Sequence, residues 1–357
     1  MNTERYQRQT ILKGFGHAGQ QKLTSAKVLV VGAGGLGAPV LSYLNAMGVG
    51  TLGIVDNDTV SLSNLHRQVL YTEKMIGLPK VVAAKSQLQA QNSNTNIKLY
   101  QTFLSISNAL DILESYDIVV DATDNFPTRY LINDACVLLN KPFIYGALHG
   151  FEGQVSVFNY QNGPTYRCLF PKMPSADAIP NCNEHGVLGI LPGIVGNLQA
   201  LETIKVVTGI GDVLSGTLLL FDGLSQRTQR MKFSLNPDNK EIRSLATSYD
   251  FDCDVQFKTI EAIGVKRLMV DGTIELLDVR TLEEFQELHL QGATHIPLNE
   301  LEKRAGELRR ESPVYVICQS GIRSRKAILT LQKLFPESEF IQVIGGMNKI
   351  DSYANTY

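Results

Sequence analysis

The sequence predicts a two-unit α/β protein: a doubly wound, mostly parallel sheet with an antiparallel extension, followed by a smaller α/β unit. Three observations carry that expectation. Between residues 26 and 147, short β-rich runs alternate with helix-compatible ones, the pattern of a sheet with helices on both faces. Two distant loops, 32–37 and 318–324, each follow a short apolar run (28–31 and 314–317) and precede a helical stretch. The 357 residues, 44% of them hydrophobic, suffice for two cores.

Taken in order, residues 28–31, 51–55, 97–101, 117–122 and 143–145 read as strands, and 35–47, 80–91 and 129–139 as helices between them. Residues 153–160 alternate their side chains and open an antiparallel region. The stretch 162–185, rich in Pro, Asn and Gly, is long for a connection inside a compact domain, and such loops are commonly functional. A helix over 192–208 starts at Pro192, and strands at 217–221 and 226–234 close the unit. Polar 236–254 reads as a linker because its apolar residues hold no period. The second unit reads β-α again: strands at 274–278, 314–317 and 340–343, helices at 282–288 and 324–334. The expected domains are 1–240 and 257–357, joined by a linker over 241–256, with no internal repeat.

Charge is nearly balanced, 33 basic against 35 acidic residues, with no basic block, which argues against a nucleic-acid partner. No apolar run is long enough to span a bilayer and residues 1–6 lack a signal-peptide plan, so the expectation is a cytoplasmic protein with no membrane partner. The five cysteines, Cys136, Cys168, Cys182, Cys253 and Cys318, are odd in number and widely spaced, as suits free thiols better than a disulfide framework.

Gly32, Gly34 and Gly37 satisfy G-x-G-x-x-G, which brings bare backbone against a phosphate chain in a Rossmann-like unit. Asp56 lies 24 residues beyond Gly32, where a carboxylate can accept from ribose hydroxyls. That much serves NAD, FAD and ATP alike. The following residues favour nucleotidyl transfer: Asp58, Asn64, Arg67, Lys80, Asp121, Asp124 and Asn125 all follow strand ends, at the edge where such sheets bind ligands. A hydride-transfer site needs few phosphate-directed charges. An incoming carboxylate and a triphosphate repel each other, so cations must hold the phosphates while a carboxylate holds Mg²⁺.

These residues, with Arg5-Tyr6-Gln7-Arg8-Gln9 and 182–189, resemble the MoeB/ThiF/HesA adenylyltransferases related to ubiquitin-activating enzymes, over about residues 5–235 and in the family's order and spacing. The resemblance implies ATP and Mg²⁺ as cofactors. Gly32, Gly34, Gly35 and Gly37 would line the phosphates and Asp56 would bind ribose. Asp58, Asn64, Arg67 and Lys80 would surround the triphosphate, and Asp124 beside Asn125 would hold Mg²⁺ and face the reacting carboxylate. It also implies a homodimer in which Arg8 acts on the neighbour's ATP, and a small ubiquitin-like sulfur carrier (MoaD/ThiS type) as partner. Cys182 is implied as a thiol that links to the carrier or resolves such a link. One departure is clear: many members hold a structural zinc with two C-x-x-C pairs. Here 166–171 offers only Cys168 and 236–241 offers no cysteine, so no zinc is expected.

Cys318 opens a loop of Gln319, Ser320, Gly321, Ile322 and Arg323 that can curl N–H groups around one sulfur, lowering the thiol pKa and favouring a persulfide, with Arg323 adding positive charge. A phosphatase loop would need C-x₅-R, whereas Arg323 comes one residue early and Ser324 stands in its place. Together with 277–280, Glu284-Phe285 and 289–297, the stretch 256–357 resembles a single rhodanese sulfurtransferase domain, with an external donor loading Cys318. His289 and His295 are expected to hold loops. The combined expectation is adenylation of a carrier's C-terminal glycine, then sulfur transfer to a thiocarboxylate for molybdopterin or thiamine synthesis. The rivals are a dinucleotide-dependent oxidoreductase with a fused redox domain and a non-catalytic carrier-binding scaffold.

Overall fold

The computed structural model describes residues 4–174, 186–249, 258–271 and 274–354. The chain divides into two compact units, 1–252 and 253–357.

In the first unit the strands β1 (Lys27–Val31), β2 (Thr51–Val55), β3 (Asn96–Tyr100), β4 (Ile118–Asp121), β5 (Phe143–His149), β6 (Glu152–Phe158), β7 (Thr217–Asp222) and β8 (Thr228–Lys232) form one sheet in the order 3-2-1-4-5-6-7-8. The first five are parallel and the last three antiparallel, as the sequence predicts. Val28 and Val30 of β1 enter one core while Leu29 and Val31 enter the other, so residues 28–31 are all apolar because both faces of the strand are covered. The helices are α1 (Gln7–Thr10), α2 (Gly16–Ser25), α3 (Gly37–Ala46), α4 (Lys80–Gln91), α5 (Ala109–Glu114), α6 (Phe126–Leu138), α7 (Tyr166–Leu169) and α8 (Ile190–Thr208). By length and apolar composition α8 could cross a membrane, but Leu191, Val195, Ala200 and Ile204 are buried in the core beside buried Gln199, Glu202 and Thr203.

Several boundaries differ from expectation, among them three in the first unit. Helix α6 begins at Phe126, not 129, because the Asn125 side chain accepts from the Thr128 N–H at 2.9 Å and Pro127 occupies the first turn. Strand β5 extends to His149 because it pairs antiparallel with β6 from Phe143 onward. Helix α3 begins two residues later than expected, leaving Gly35 in the loop.

The linker-like stretch after β8 is anchored at Tyr249. Tyr249 is buried, donates to Asp134 Oδ2 at 2.8 Å and accepts from the Ala246 N–H at 3.2 Å. Asp134 also receives a two-pronged bond from Arg167, both arms 2.8 Å. A polar composition conceals this because a single tyrosine supplies the burial.

The second unit is a parallel sheet of β9 (Lys258–Glu261), β10 (Glu275–Asp278), β11 (Thr294–His295), β12 (Val314–Ile317) and β13 (Phe340–Ile344) in the order 11-10-12-13-9. Helices α9 (Ala262–Asp271), α10 (Leu282–Glu287), α11 (Leu301–Arg304), α12 (Ile322–Leu334) and α13 (Gly346–Ala354) cover it. Strand β12 is central, so its C-terminal end, where Cys318 begins the loop, is flanked by strands on both sides.

Candidate active sites

The nucleotide loop sits where the strand order reverses between β1 and β4, the crevice at which doubly wound sheets bind ligands. Gly32 has φ +96°, and a Cβ there would lie 2.6 Å from the Ala122 carbonyl oxygen. A Cβ on Gly37 would run into the Gly32 carbonyl oxygen. These two glycines close the turn. Gly34 is different: a Cβ there would meet only Gln68 Nε2, at 3.6 Å. Its backbone is open to a ligand, and the neighbouring Gln68 Oε1 is buried with no hydrogen-bond partner. An orphaned acceptor beside a bare loop is the surrounding a nucleotide would complete.

Asp56 fastens this loop to the second strand. Its Oδ2 accepts from the Ala33 N–H and its Oδ1 from the Asp58 N–H, both at 2.8 Å. Burial pushes the Asp56 carboxyl up, while the Lys80 ammonium and the two N–H bonds pull the other way. Tyr71, which the sequence reading does not single out, donates its hydroxyl to the Ala33 carbonyl at 2.7 Å and so pins the loop. Lys80 is buried and pairs at 2.8 Å with the exposed carboxylate of Asp58. Arg67 is held by Asn64 Oδ1 at 2.6 Å and by the Ser63 carbonyl at 3.3 Å. Asp58, Asn64, Arg67 and Lys80 thus form two cation–acceptor pairs on one side of the loop. Arg8 lies exposed on α1.

On the other side, after β4, Asp124 is exposed, and its carboxylate makes no hydrogen bond or ion pair among the described residues. Asn125 is engaged as the cap of α6. An exposed carboxylate with no hydrogen bond or ion pair among the described residues fits Mg²⁺, which takes one or two carboxylates alongside phosphate oxygens. Cys182 lies outside the described residues. Cys136 is buried, and burial pushes its thiol well above the ordinary range, as suits a core residue.

Cys168 is the one cysteine in the stretch 166–171, where the resemblance suggests a zinc-ligand pair elsewhere in the family. Its sulfur faces the Thr165 N–H and hydroxyl and the Asn239 amide, each at 3.4 Å, and the Asn236 N–H at 3.3 Å. Burial raises its thiol pKa, but these bonds together outweigh burial and leave it lowered. No group of three or more His, Cys, Asp or Glu suited to a metal occurs among the described residues.

In the second unit the Cys318 sulfur is fully buried and accepts from the Gly321 N–H at 3.1 Å. Gly321, at φ +100°, supplies the turn that aims this N–H. Ser324 Oγ lies 3.6 Å behind the sulfur, and the Gly321 carbonyl accepts from Ser324 at 2.9 Å and from Gln342 at 2.7 Å. The start of α13 holds the loop as well, its Met347 and Asn348 N–H groups donating to the carbonyls of Cys318 and Gln319 at 2.9 and 3.0 Å. Buried Arg280, paired with Asp278, donates to Gln319 Oε1 at 3.0 Å.

Arg323 interacts electrostatically with Cys318, and it is ion-paired as well. Both its arms are taken by Glu284, at 2.6 and 2.7 Å, because the first turn of α10 faces the first turn of α12. The pair holds the Glu284 carboxyl at about 2. Arg323 therefore braces the loop as half of an ion pair. Phe285 is stacked between His289 and His295, with centroids 4.0 and 4.3 Å away, and the two imidazoles bond the carbonyls of Phe285 and Arg280. Both histidines hold loops, as expected.

A glycine-rich turn at the strand-order reversal, with cation pairs and an exposed carboxylate, joined in one chain to a cradled thiol, suits a nucleotide-activating enzyme with a sulfur-handling domain. Residues 6–243 match the ThiF family and residues 262–352 the rhodanese-like domain. The chain belongs to the ThiF family and is an adenylyltransferase with a sulfurtransferase domain. It is 42% identical to the adenylyltransferase and sulfurtransferase MOCS3 of Aedes aegypti, over 96% of this chain and 85% of that one. It is also 53% identical to the sulfur carrier protein adenylyltransferase of Thermus thermophilus, over 66% of this chain and 88% of the relative. The crystal structure of E. coli MccB with MccA-N7isoASN shares the fold, with a TM-score of 0.59 at 21% identity, covering 66% of this chain and 73% of that one.

Proposed function

We propose that this enzyme uses ATP to adenylate the C-terminal glycine carboxylate of a small ubiquitin-like sulfur carrier, then passes it sulfur from a Cys318 persulfide. The observation that carries this reading is the pairing of two sites in one chain. One has the Gly32–Gly37 turn at the strand-order reversal, the cations Arg67 and Lys80, and an exposed Asp124 carboxylate after β4, and the other has a buried sulfur held by a backbone N–H.

The Gly32–Gly37 turn would take the phosphates, Asp56 would accept from ribose hydroxyls, and Arg67 and Lys80 would offset charge gathering on the leaving pyrophosphate. Arg8 of a second copy would add to that set in a homodimer. Asp124 would hold Mg²⁺, which when bound screens phosphate charge from the approaching carboxylate. The glycine carboxylate attacks the α-phosphorus, pyrophosphate leaves, and an acyl adenylate forms. The terminal sulfur of the Cys318 persulfide, loaded by an external donor, attacks the acyl carbon and AMP leaves. A thiol, from Cys182 or an external reductant, then attacks Cys318 Sγ. It frees the carrier thiocarboxylate and leaves a disulfide. The product would feed molybdopterin or thiamine synthesis in the cytoplasm.

Incubation with ATP, Mg²⁺, a sulfur donor and MoaD- or ThiS-type carriers tests this. The expected result is a carrier whose mass shows one oxygen replaced by sulfur, together with carrier-dependent exchange of labelled pyrophosphate into ATP. Tight nicotinamide or flavin binding with no such exchange would overturn it.

A further inference from the structure

Behind Asp124 lies a buried charge pair whose contacts converge on one peptide. Asp121 and Arg129 are both buried, with Arg129 Nε 3.7 Å from Asp121 Oδ2. The guanidinium also sits 5.4 Å from the ring centroids of both Phe126 and Tyr145. As a stabilising contact the pair is poor, because neither Arg129 Nε nor Asp121 Oδ2 has a hydrogen-bond partner. Buried pairs of this kind can often be replaced by apolar residues with no loss of stability.

What the pair does hold is Thr123. Asp121 Oδ1 accepts from the Thr123 N–H at 3.0 Å and from its hydroxyl at 2.6 Å. Arg129 donates to the Thr123 carbonyl at 2.9 Å. All three polar groups of Thr123 are thus captured by two buried side chains. The pair is itself tied to the sheet, since Gln199 of α8 donates to the Asp121 carbonyl at 2.6 Å. Asn125, on the far side, is fixed as the helix cap. Asp124, between these two held neighbours, is exposed; it feels the charges of Asp121 and Arg129 but makes no hydrogen bond or ion pair among the described residues.

We propose that Asp121, Thr123 and Arg129 are positioning residues that aim the Asp124 carboxylate at the nucleotide loop. The inference rests on the reading of Asp124 as the Mg²⁺-holding residue of an adenylation site. The rationale is entropic: a metal ligand on a loose loop must be ordered each time nucleotide binds, whereas a clamped peptide presents it ready-made.

The test uses the full chain with Thr123→Val, which removes only the hydroxyl link, Arg129→Met and Arg129→Lys. Two readouts are taken. Without nucleotide, hydrogen exchange of the segment 120–127 should accelerate in Thr123→Val and Arg129→Met, while β1 and β2 exchange as in the wild type. In pyrophosphate exchange with a MoaD- or ThiS-type carrier, half-saturating Mg²⁺ should rise by roughly 10-fold in the same variants, the scale seen when residues supporting a metal ligand are lost. The KM for the carrier should hold, and Arg129→Lys should recover part of the Mg²⁺ effect. A folded variant set with wild-type Mg²⁺ dependence, or with unchanged exchange in 120–127, would overturn the proposal. If Arg129→Met does not fold, Thr123→Val and Arg129→Lys carry the same comparison. A wild-type protein with no carrier-dependent exchange would instead sink the adenylation reading, and the hydrogen-exchange arm would then decide the positioning claim.

Discussion

Gly34 and Gly37 lie three residues apart and answer to different constraints. A methyl group on Gly37 would collide with the Gly32 carbonyl oxygen, a backbone atom that cannot step aside. Gly37→Ala should therefore cost about 1–3 kcal/mol of stability, the usual range for overpacking, read as a lower urea midpoint. On Gly34 the methyl would meet only the end of the Gln68 side chain. Gly34→Ala should leave the urea midpoint near wild type yet weaken ATP binding in calorimetry, because it fills the space a phosphate needs. Equal losses of stability in both variants would contradict this division. Cys168 presents a further residue-scale contrast. One sulfur surrounded by donors from Thr165, Asn236 and Asn239 joins two segments about 70 residues apart. Metal analysis of the purified protein should find no stoichiometric zinc.

At the scale of elements, helix starts decide where charge is placed. The first turn of α10 is a capping box, in which Thr281 Oγ1 accepts from the Glu284 N–H and Glu284 accepts from the Thr281 N–H. That box turns Glu284 toward Arg323 at the start of α12. The Glu284 carboxyl is depressed from 4.5 to about 2, chiefly by the Arg323 hydrogen bonds. A depressed carboxyl contributes stability that is complete above its unfolded pKa and is lost as pH falls through the folded one. The gap in thermal midpoint between wild type and Glu284→Gln should hold steady above about pH 5 and shrink as pH approaches 2. A gap that persists at pH 2 would show that the side chain acts by packing alone. The same reasoning locates Asn125: Asn125→Ala should cost about 1 kcal/mol through the lost cap.

At the scale of the molecule, each unit has its own cores and its own site. The chemistry should separate accordingly. Cys318→Ala should abolish sulfur transfer to the carrier and spare carrier-dependent pyrophosphate exchange. Asp124→Ala should lower that exchange on the order of 10²-fold or more, the scale of losing one preorganised electrostatic group, and leave thiosulfate sulfurtransferase activity intact. Loss of both activities in either variant would sink the division of labour.

The sequence by itself determined the sheet that carries the first site and the two loops that define the chain, because these depend on local patterns. Residues 28–31 and 314–317 are apolar throughout, Gly32, Gly34 and Gly37 stand at fixed spacing, and Cys318 opens a short turn before a helix. Short helices such as Gly16–Ser25 and Ala109–Glu114 escaped that reading, since tertiary burial of a few residues decides them. The tertiary structure alone assigned Arg323 to Glu284, Tyr249 to Asp134, and Asp121 with Arg129 to the Thr123 peptide. Two of these three contacts join residues far apart in the chain, and the third depends on where α6 starts. The physical reason is the same in each: a charged or hydroxyl side chain carries no signature of its partner until burial removes the water that would otherwise serve it.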